Sequence, residues 1–247
     1  MALQEEFESQ GNFLFKYRGH LPIIIFAIGA VVLYFTRSES LTFLTQDQDN
    51  LLDYSAFAVS ILGLFIRAYT VGRAAPNTSG RNTTEGQVAD DVNTTGIYSI
   101  VRHPLYVGNF FMWLGVAILT QNFWFLVAYV FMYWLYYERI MFAEEQFLRR
   151  KFGEKYVAWA AKTPAFIPCF KKWNKNALTF NLKKAIRQEK TGFFLLTVAM
   201  YSLNLIVQLA ENKAINYLNE WGFIAIAGIV SYVVIKFLQK ATTLLAD

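Results

Sequence analysis

The chain has 247 residues, of which 55% are hydrophobic and only 17% are charged, and its formal net charge is +5. Average soluble domains carry about 25% charged residues, whereas the mean hydropathy here is positive, at +0.29. The abundant aromatic residues exclude a disordered chain, and the single cysteine, Cys169, excludes a disulfide scaffold. The apolar residues form long blocks with most of the charge between them, which indicates a polytopic membrane protein.

Six apolar segments are candidate transmembrane helices, since about 17 to 20 apolar residues suffice to cross a bilayer. In chain order they are Leu21–Phe35, which is short, then Tyr54–Gly72, Leu105–Thr120, Phe123–Phe142, Gly192–Leu209 and Trp221–Leu238. Lipid offers backbone groups no hydrogen-bond partner, and six spans are too few for a closed barrel, so each span is expected to be helical. The predicted fold class is therefore all-α, a polytopic membrane bundle of about six helices.

The first span admits a second interpretation, because basic residues precede it. Lys16, Arg18 and His20 before an apolar run are typical of a signal peptide. The residues that follow, Thr36 to Glu39, offer no small-x-small cleavage site. An uncleaved first span is therefore favoured.

The distribution of basic residues predicts the orientation of the spans. Residues 143–190 hold twelve of the twenty-three Lys and Arg residues, and cytoplasmic segments are the ones enriched in these residues. Counting back through the spans, this segment shares one face with the loop 73–104 and with both termini. We therefore expect a multi-pass protein with cytoplasmic termini, in a bacterial inner membrane or the endoplasmic reticulum. No nucleic-acid-binding motif accompanies the basic charge.

Three regions are distinguished along the chain. Residues 1–95 hold two spans and a polar loop, 74–95, which is long enough to be a binding element or a lid. Residues 96–170 hold a helical hairpin and an amphipathic stretch, 143–169, that is expected to lie at the membrane surface with a helix stop at Gly153. Residues 171–247 form a basic linker and a final pair of spans.

The start of the third span carries the residues that point to chemistry. Pro104 suits the first turn of a helix, and its restriction on the preceding residue makes His103 a helix boundary. Arg102 and His103 therefore stand at a helix N-terminus, which favours anions. Each of them alone is more often an interfacial anchor, and only their combination with other residues favours a site.

A second polar cluster follows the fourth span. Glu144 and Glu145 lie at its end, and Glu145 is four residues before Arg149, the favourable order for an ion pair. Because a short turn joins the third and fourth spans, these carboxylates must return close to Arg102 and His103. The resulting pocket has aromatic walls, from Tyr98, Tyr106, Tyr133, Tyr136, Tyr137 and Phe142. Donors, carboxylates and aromatic rings together suit a zwitterionic ligand with a sulfonium or ammonium centre.

Two further features bear on this pocket. Arg67 lies within the second span, where a charge usually faces a polar cavity or a partner, although near a span end the side chain can also snorkel to the interface. Two histidines and one cysteine in the whole chain argue against a metal site.

The joint pattern resembles the isoprenylcysteine carboxyl methyltransferase family and its relatives, the phospholipid methyltransferases. The match consists of Gly-x-Tyr-x-x-x-Arg-His-Pro-x-Tyr-x-Gly-Asn from Gly96 to Asn109, then Glu-Glu-x-x-Leu-x-x-x-Phe-Gly-x-x-Tyr from Glu144 to Tyr156, and Phe-Ile-Pro at Phe166 to Pro168. It covers less than a third of the chain, and both the polar loop and the last two spans lie outside it.

The resemblance implies an integral membrane methyltransferase that uses S-adenosylmethionine in a pocket at the cytoplasmic face. The residues that it assigns to cofactor binding are Tyr98, Arg102, His103, Tyr106, Gly108 and Glu145. It places Arg149 and Glu144 nearer the reacting centre. An arginine such as Arg149 or Arg102 would hold an anionic acceptor, so Arg149, Glu144 and Arg102 are the catalytic candidates. A lipid or lipidated acceptor would enter sideways from the bilayer, and no obligate protein partner is implied.

The nature of the acceptor and two other functions stay open. A lipid phosphate, a phospholipid amine and a prenylcysteine carboxylate are all compatible acceptors. A sterol-type reductase with a nicotinamide cofactor shares an Arg-His-x-x-Tyr element, but an Arg-Asp-Glu pattern is expected at its second cluster, where this chain has Ala143, Glu144 and Glu145. A non-enzymatic transporter or scaffold predicts a polar path across several spans, of which the sequence offers little.

Overall fold

A computed structural model describes residues 2–40, 45–76, 78 and 87–245, and the elements within these residues are helical. The eight α-helices are α1 (Leu3–Tyr17), α2 (Leu21–Ser40), α3 (Gln46–Arg73), α4 (Pro104–Leu119), α5 (Phe123–Phe152), α6 (Glu154–Ala160), α7 (Leu182–Ala210) and α8 (Glu220–Ala241). Short 3-10 turns at Ile97–Ser99 and Phe170–Lys172 precede α4 and α7. The all-α prediction is confirmed for the described residues.

Each of the six predicted spans coincides with a helix, but fewer helices meet a length and hydropathy criterion for crossing a membrane. Within the described residues three do, namely Asp47–Arg73, Leu182–Ala210 and Glu220–Ala241. A fourth span is possible if α1 and α2, which meet at a 76° bend, cross together. The helix α4 is apolar but has 16 residues, which gives a length of about 24 Å, less than the roughly 30 Å of a bilayer core.

The helix α1 was not expected from the apolar pattern, because it is amphipathic and on average neither apolar nor polar. It lies along α5, with Phe15 buried against that helix. At Gly11 the two backbones approach so closely that a Cβ atom would lie 2.1 Å from the carbonyl oxygen of Arg139. The residue Arg150 of α5 pairs with Glu8 of α1 at 2.6 Å.

The hairpin of α4 and α5 forms as predicted. Pro104 is the first residue of α4, and the turn at Gln121 adopts a positive φ of 52°. The side chain of Asn122 then caps α5 by accepting a hydrogen bond from the Phe125 N–H at 2.9 Å.

The fourth predicted span ends at Phe142, but the helix does not. The helix α5 continues for ten more residues, because no helix-breaking residue intervenes before Gly153, which adopts a φ of 53°. The stop at Gly153 is confirmed, and the first ten residues of the amphipathic stretch continue the helix that begins at Phe123. The acidic pair Glu144 and Glu145 is therefore held rigidly on α5.

The helices α3 and α4 cross in close contact through small residues. A Cβ atom on Gly63 would lie 2.4 Å from the carbonyl oxygen of Gly108, and one on Gly115 would lie 2.1 Å from the hydroxyl of Ser60. This small-residue crossing is typical of helix pairs in membranes. It fixes the start of α4 relative to α3.

Two ion-pair clusters lie at opposite ends of α3 and α7. At one end Arg37 of α2 binds Asp49 of α3 through two hydrogen bonds and Glu211, which caps α7, at 2.7 Å. At the other end Arg67 of α3 binds Glu189 of α7. Ion pairs with neighbouring helices therefore stabilise the position of α7 at both of its ends.

Candidate functional site

The segment before α4 is held in place by a later part of the chain. The backbone N–H of Arg102 donates to the carbonyl of Pro164 at 2.9 Å, and that of His103 donates to the carbonyl of Ala165 at 3.2 Å. These two backbone donors are therefore occupied. The start of α4 therefore offers a ligand the side chains of Arg102 and His103, and not their backbone N–H groups.

His103 joins the two motifs, since it contacts Glu144 and Glu145, which follow it by 41 and 42 residues. Its Nε2 lies 2.9 Å from Oε1 of Glu145, and its Nδ1 lies 3.5 Å from Oε2 of Glu144. Arg102 also contacts Glu145, with Nε and Oε1 3.2 Å apart. The prediction that α5 returns its carboxylates to Arg102 and His103 is confirmed, and Glu145 pairs with these residues instead of with Arg149.

The ionisation of this cluster follows from its contacts. Burial alone would lower the pKa of His103, but its interactions with Glu144 and Glu145 raise the pKa to about 9. Burial likewise opposes ionisation of Glu144, yet the hydrogen bond with His103 leaves the pKa of that carboxyl below its usual range. At neutral pH the imidazole is therefore protonated and lies between two carboxylates.

Aromatic rings cover one side of the cluster. The hydroxyl of Tyr106 donates to Oε2 of Glu144 at 2.9 Å, and its ring stacks on His103 with centroids 5.6 Å apart. Tyr137 packs on Tyr106 at 4.8 Å, and Tyr133 donates to the Tyr106 carbonyl at 2.6 Å. The aromatic side is thus held by hydrogen bonds as well as by packing.

A cavity of about 450 Å³ opens beside this cluster, within the size range of small-molecule and cofactor sites. Its described lining comes from α1, from the end of α3, from the polar loop, from the start of α4 and from α5, α6 and α7. Five of the predicted site residues line it, namely Tyr98, Arg102, His103, Tyr106 and Glu144. Within the described part of the polar loop, Thr78 and six residues between Gln87 and Asn93 supply much of the remaining wall.

Two buried donors in the cavity wall lack a hydrogen-bond acceptor among the described residues. They are the hydroxyl of Tyr156 and the indole N–H of Trp159, both on α6. The Arg102 Nε atom, close to Glu145, is also not aligned for a hydrogen bond. Buried donors are rarely left unpaired in proteins, so this wall suits a ligand with acceptor atoms.

Three predicted site residues lie outside the described cavity lining. Glu145 is behind His103 and Arg102 and orients both. Gly108 faces α3, where a Cβ atom would lie 2.5 Å from Cγ of Arg67, so the element that approaches this glycine is another helix. Arg149 is exposed at the end of α5.

A polar cluster deeper in the cavity includes a residue that the sequence did not indicate. Arg67 makes two hydrogen bonds of 2.8 Å to Glu189 and one of 2.6 Å to Asn109. All three side chains line the cavity. The sequence signal is that an arginine within a span requires a partner, but this signal does not single out Glu189 among the charged residues before the fifth predicted span.

Comparison with known proteins matches the segment that carries this site. A model of the phospholipid methyltransferase family matches residues 54–155. Among curated proteins, the nickel-cobalt-cadmium resistance protein NccN of Alcaligenes xylosoxydans xylosoxydans is 34% identical over 126 residues, which cover 50% of this chain and 55% of that protein.

Protein-S-isoprenylcysteine O-methyltransferases are also similar. That of Schizosaccharomyces pombe is 32% identical over 115 residues, covering 46% of this chain and 48% of that protein. That of Xenopus laevis is 31% identical over 120 residues, covering 46% of this chain and 42% of that protein.

The chain thus spans about half the length of these curated relatives, and no solved structure matches it. The matched segment contains most of α3, all of α4 and α5, the first motif of the cavity and the second motif except its last residue, Tyr156. The resemblance of this segment to the phospholipid and isoprenylcysteine methyltransferases is thereby confirmed.

Proposed function

We propose that this protein is an integral membrane methyltransferase that uses S-adenosylmethionine and acts on a lipid or lipidated acceptor. The family match over residues 54–155 and the similarity to the isoprenylcysteine methyltransferases support this activity. The single observation that carries it is the cavity where His103, Glu144 and Tyr106 meet, because its walls combine donors, carboxylates and aromatic rings.

The proposal includes the orientation of the protein. All six helices predicted as spans cross the membrane, and the cavity and both termini face the cytoplasm. The concentration of Lys and Arg in residues 143–190 supports this orientation. A water-soluble cofactor then reaches the cavity from the cytoplasm, and a lipid acceptor reaches it from the bilayer.

The residues of the cavity fit S-adenosylmethionine by their chemistry. The cofactor carries acceptor atoms, an anionic carboxylate and a positively charged sulfur. The unpartnered donors of Tyr156 and Trp159 suit acceptor atoms, and Arg102 suits an anion. The aromatic faces of Tyr98 and Tyr106 suit a cation.

When bound, S-adenosylmethionine supplies an electrophilic methyl group. The chain's own residues position the reactants and exclude water, and positioning alone contributes several kcal/mol to catalysis. Glu145 holds His103 and Arg102 in place, and His103 in turn holds the carboxylate of Glu144 ionised at the cavity wall.

We assign the catalytic roles to those predicted residues whose side chains line the cavity. Arg102 is a candidate to bind an anionic acceptor, and Glu144 is a candidate base if the acceptor is an amine. Arg149 is exposed and lies outside the described cavity lining, so we assign the binding of an anionic acceptor to Arg102 alone.

Methyl transfer from labelled S-adenosylmethionine into a membrane lipid extract tests this function. The purified protein in liposomes is expected to place label in the lipid fraction, and Glu144→Gln is expected to reduce that label strongly. An unlabelled lipid fraction, together with reduction of a sterol-like alkene by a nicotinamide cofactor, would favour the reductase instead.

A further inference from the structure

The chain between α6 and α7 combines unbalanced positive charge with exposed apolar side chains. From residue 155 to residue 188 it contains seven Lys, one Arg and no acidic residue. Within this run, the 167–183 segment exposes four large apolar side chains, namely Ile167 (77%), Phe170 (74%), Leu182 (60%) and Trp173 (48%). Exposed apolar side chains among charged ones are typical of a binding surface.

The charge of the 167–183 segment is available to a partner. Lys171, Lys175 and Lys183 are exposed, and none of them forms an ion pair, a hydrogen bond or a ring contact with the described residues. The surrounding run supplies no acidic side chain that could compensate these three charges. The segment therefore complements an anionic surface that also accepts apolar side chains.

The 167–183 segment lies at the ends of two helices that are long and apolar enough to cross a membrane, α3 and α7. The backbone N–H of Asn181 donates to the carbonyl of Gly72 at 2.7 Å, and the guanidinium of Arg73 donates to the carbonyl of Leu178 at 3.0 Å. Arg73 is the last residue of α3, and α7 begins at Leu182. The segment thus lies where both helices would leave a bilayer, so the anionic surface within its reach is that of the lipid headgroups.

Hydrogen bonds also join the segment to the turn that precedes α4. The backbone N–H of Cys169 donates to the carbonyl of Ile100 at 2.9 Å, and that of Asn174 donates to the hydroxyl of Ser99 at 2.9 Å. A few residues later the chain reaches His103, in the wall of the cavity. The position of the 167–183 segment therefore supports the backbone that leads into the cavity.

We infer that the 167–183 segment binds the anionic lipid surface of the cytoplasmic leaflet and that this contact strengthens cofactor binding in the cavity. The three exposed lysines bind lipid phosphates, and the rings of Phe170 and Trp173 enter the headgroup region. Lipid then orders the segment and, through its hydrogen bonds, the start of α4, so that the cofactor has less disorder to overcome when it binds. The effect on the cofactor rests on the proposed function, whereas the lipid contact does not.

The depth of a fluorescent label in the bilayer tests the lipid contact. Cys169 is the single cysteine of the chain, so Cys169→Ser provides a thiol-free background in which Phe170→Cys carries the label. The control in the same background is Glu154→Cys, at an exposed residue just beyond the end of α5. The full chain is placed in nanodiscs of phosphatidylcholine and phosphatidylglycerol.

The label on Phe170→Cys is expected to be quenched by a nitroxide near the headgroup end of a lipid acyl chain and shielded from acrylamide in the water. The label on Glu154→Cys is expected to show the reverse. A label on Phe170→Cys that acrylamide reaches as readily as the control label overturns the inference, and would favour a soluble acidic partner for this surface.

Two matched triple variants test the role of the positive charge. One is Lys171→Gln/Lys175→Gln/Lys183→Gln, which removes three charges, and the other replaces the same lysines by arginine and keeps the charges. Affinity for S-adenosylhomocysteine is measured by calorimetry in nanodiscs with and without phosphatidylglycerol. The wild-type protein and the arginine variant are expected to bind roughly threefold or more tightly with phosphatidylglycerol, and the glutamine variant is expected to bind equally in both lipids.

Three results of this second experiment overturn the inference. They are equal affinities of the wild-type protein in both lipids, a glutamine variant that keeps the phosphatidylglycerol effect, and an arginine variant that loses it. Failure of the wild-type protein to bind S-adenosylhomocysteine in either lipid is a separate result, which counts against the proposed function. The depth of the label decides on the lipid contact in that case as well.

Discussion

His103 and Glu145 are 42 residues apart in the chain, and their side chains meet with Nε2 and Oε1 2.9 Å apart. This contact closes the hairpin of α4 and α5 at the end where both motifs lie. It also orders the roles of the acidic pair, because Glu145 orients His103 and Arg102 while Glu144 lines the cavity. The site thus has two layers. Glu145 holds Arg102 and His103, and these two residues line the cavity together with Glu144.

The protonation of His103 makes stability depend on pH. Its folded-state pKa of about 9 exceeds the ordinary value of 6.5, so its stabilising contribution is complete below the ordinary value and is lost as the pH rises through the folded value. Thermal unfolding of the wild-type protein is therefore expected to occur at lower temperature as the pH increases from 6.5 to about 9.

A pair of histidine variants isolates this effect, because the chain has only two histidines. His103→Gln is expected to be less stable at pH 6.5 and to show a flatter profile across this range. His20→Gln is expected to keep the wild-type profile. A wild-type profile that is flat over the range would contradict the paired, protonated state of His103.

The unpartnered hydroxyl of Tyr156 predicts a variant that separates binding from stability. Tyr156→Phe removes a buried donor that has no acceptor among the described residues, so the stability of the apoprotein is expected to stay unchanged or to rise slightly. The affinity for S-adenosylhomocysteine is expected to fall several-fold, measured by calorimetry.

Tyr129 is the matched control for Tyr156. It is equally buried, but its hydroxyl donates to the carbonyl of Phe110 at 2.7 Å, away from the described cavity lining. Tyr129→Phe is expected to cost about 1 kcal/mol of stability and to leave the affinity unchanged. If both variants behave alike, the hydroxyl of Tyr156 has no role in ligand binding.

The crossing of α3 and α4 predicts a strong effect of a single methyl group. In Gly63→Ala the new Cβ atom would lie 2.3 Å from the Met112 nitrogen and 2.4 Å from the Gly108 oxygen, so the helices must move apart. Overpacking of this kind costs about 1–3 kcal/mol or more. The melting temperature in detergent is expected to fall accordingly.

Gly19 provides the comparison for this substitution. It lies between α1 and α2, and a Cβ atom there would meet nothing within 4 Å. Gly19→Ala is expected to leave the melting temperature nearly unchanged. Equal effects of the two substitutions would show that the crossing is looser than described.

The sequence predicted the local features that individual residues determine. Pro104 starts α4 and Gly153 ends α5, because each of these residues restricts or frees the backbone at a helix end. The meeting of His103 with the acidic pair also followed, since a short turn between two helices leaves their ends adjacent.

Features that depend on tertiary partners were not predictable in the same way. The helix α1 is not apolar on average, so hydropathy did not reveal it, and its buried residues are those that pack on α5. In the sequence nothing distinguishes Glu189 from the other charged residues of the basic linker. Its role as the partner of Arg67 depends on the packing of α7 against α3. Likewise, the motif does not show which element lies against Gly108. The crossing of α3 and α4 places α3 there.

Calorimetric binding of S-adenosylhomocysteine to the wild-type protein, His103→Ala and Glu145→Ala, with His20→Ala as the control, tests the central claim most directly. The account predicts saturable one-site binding to the wild-type and His20→Ala proteins. It predicts loss of binding in the other two, because His103 lines the cavity and Glu145 holds it in place. Undiminished binding by folded His103→Ala and Glu145→Ala, or no binding by the folded wild-type protein, would contradict the account.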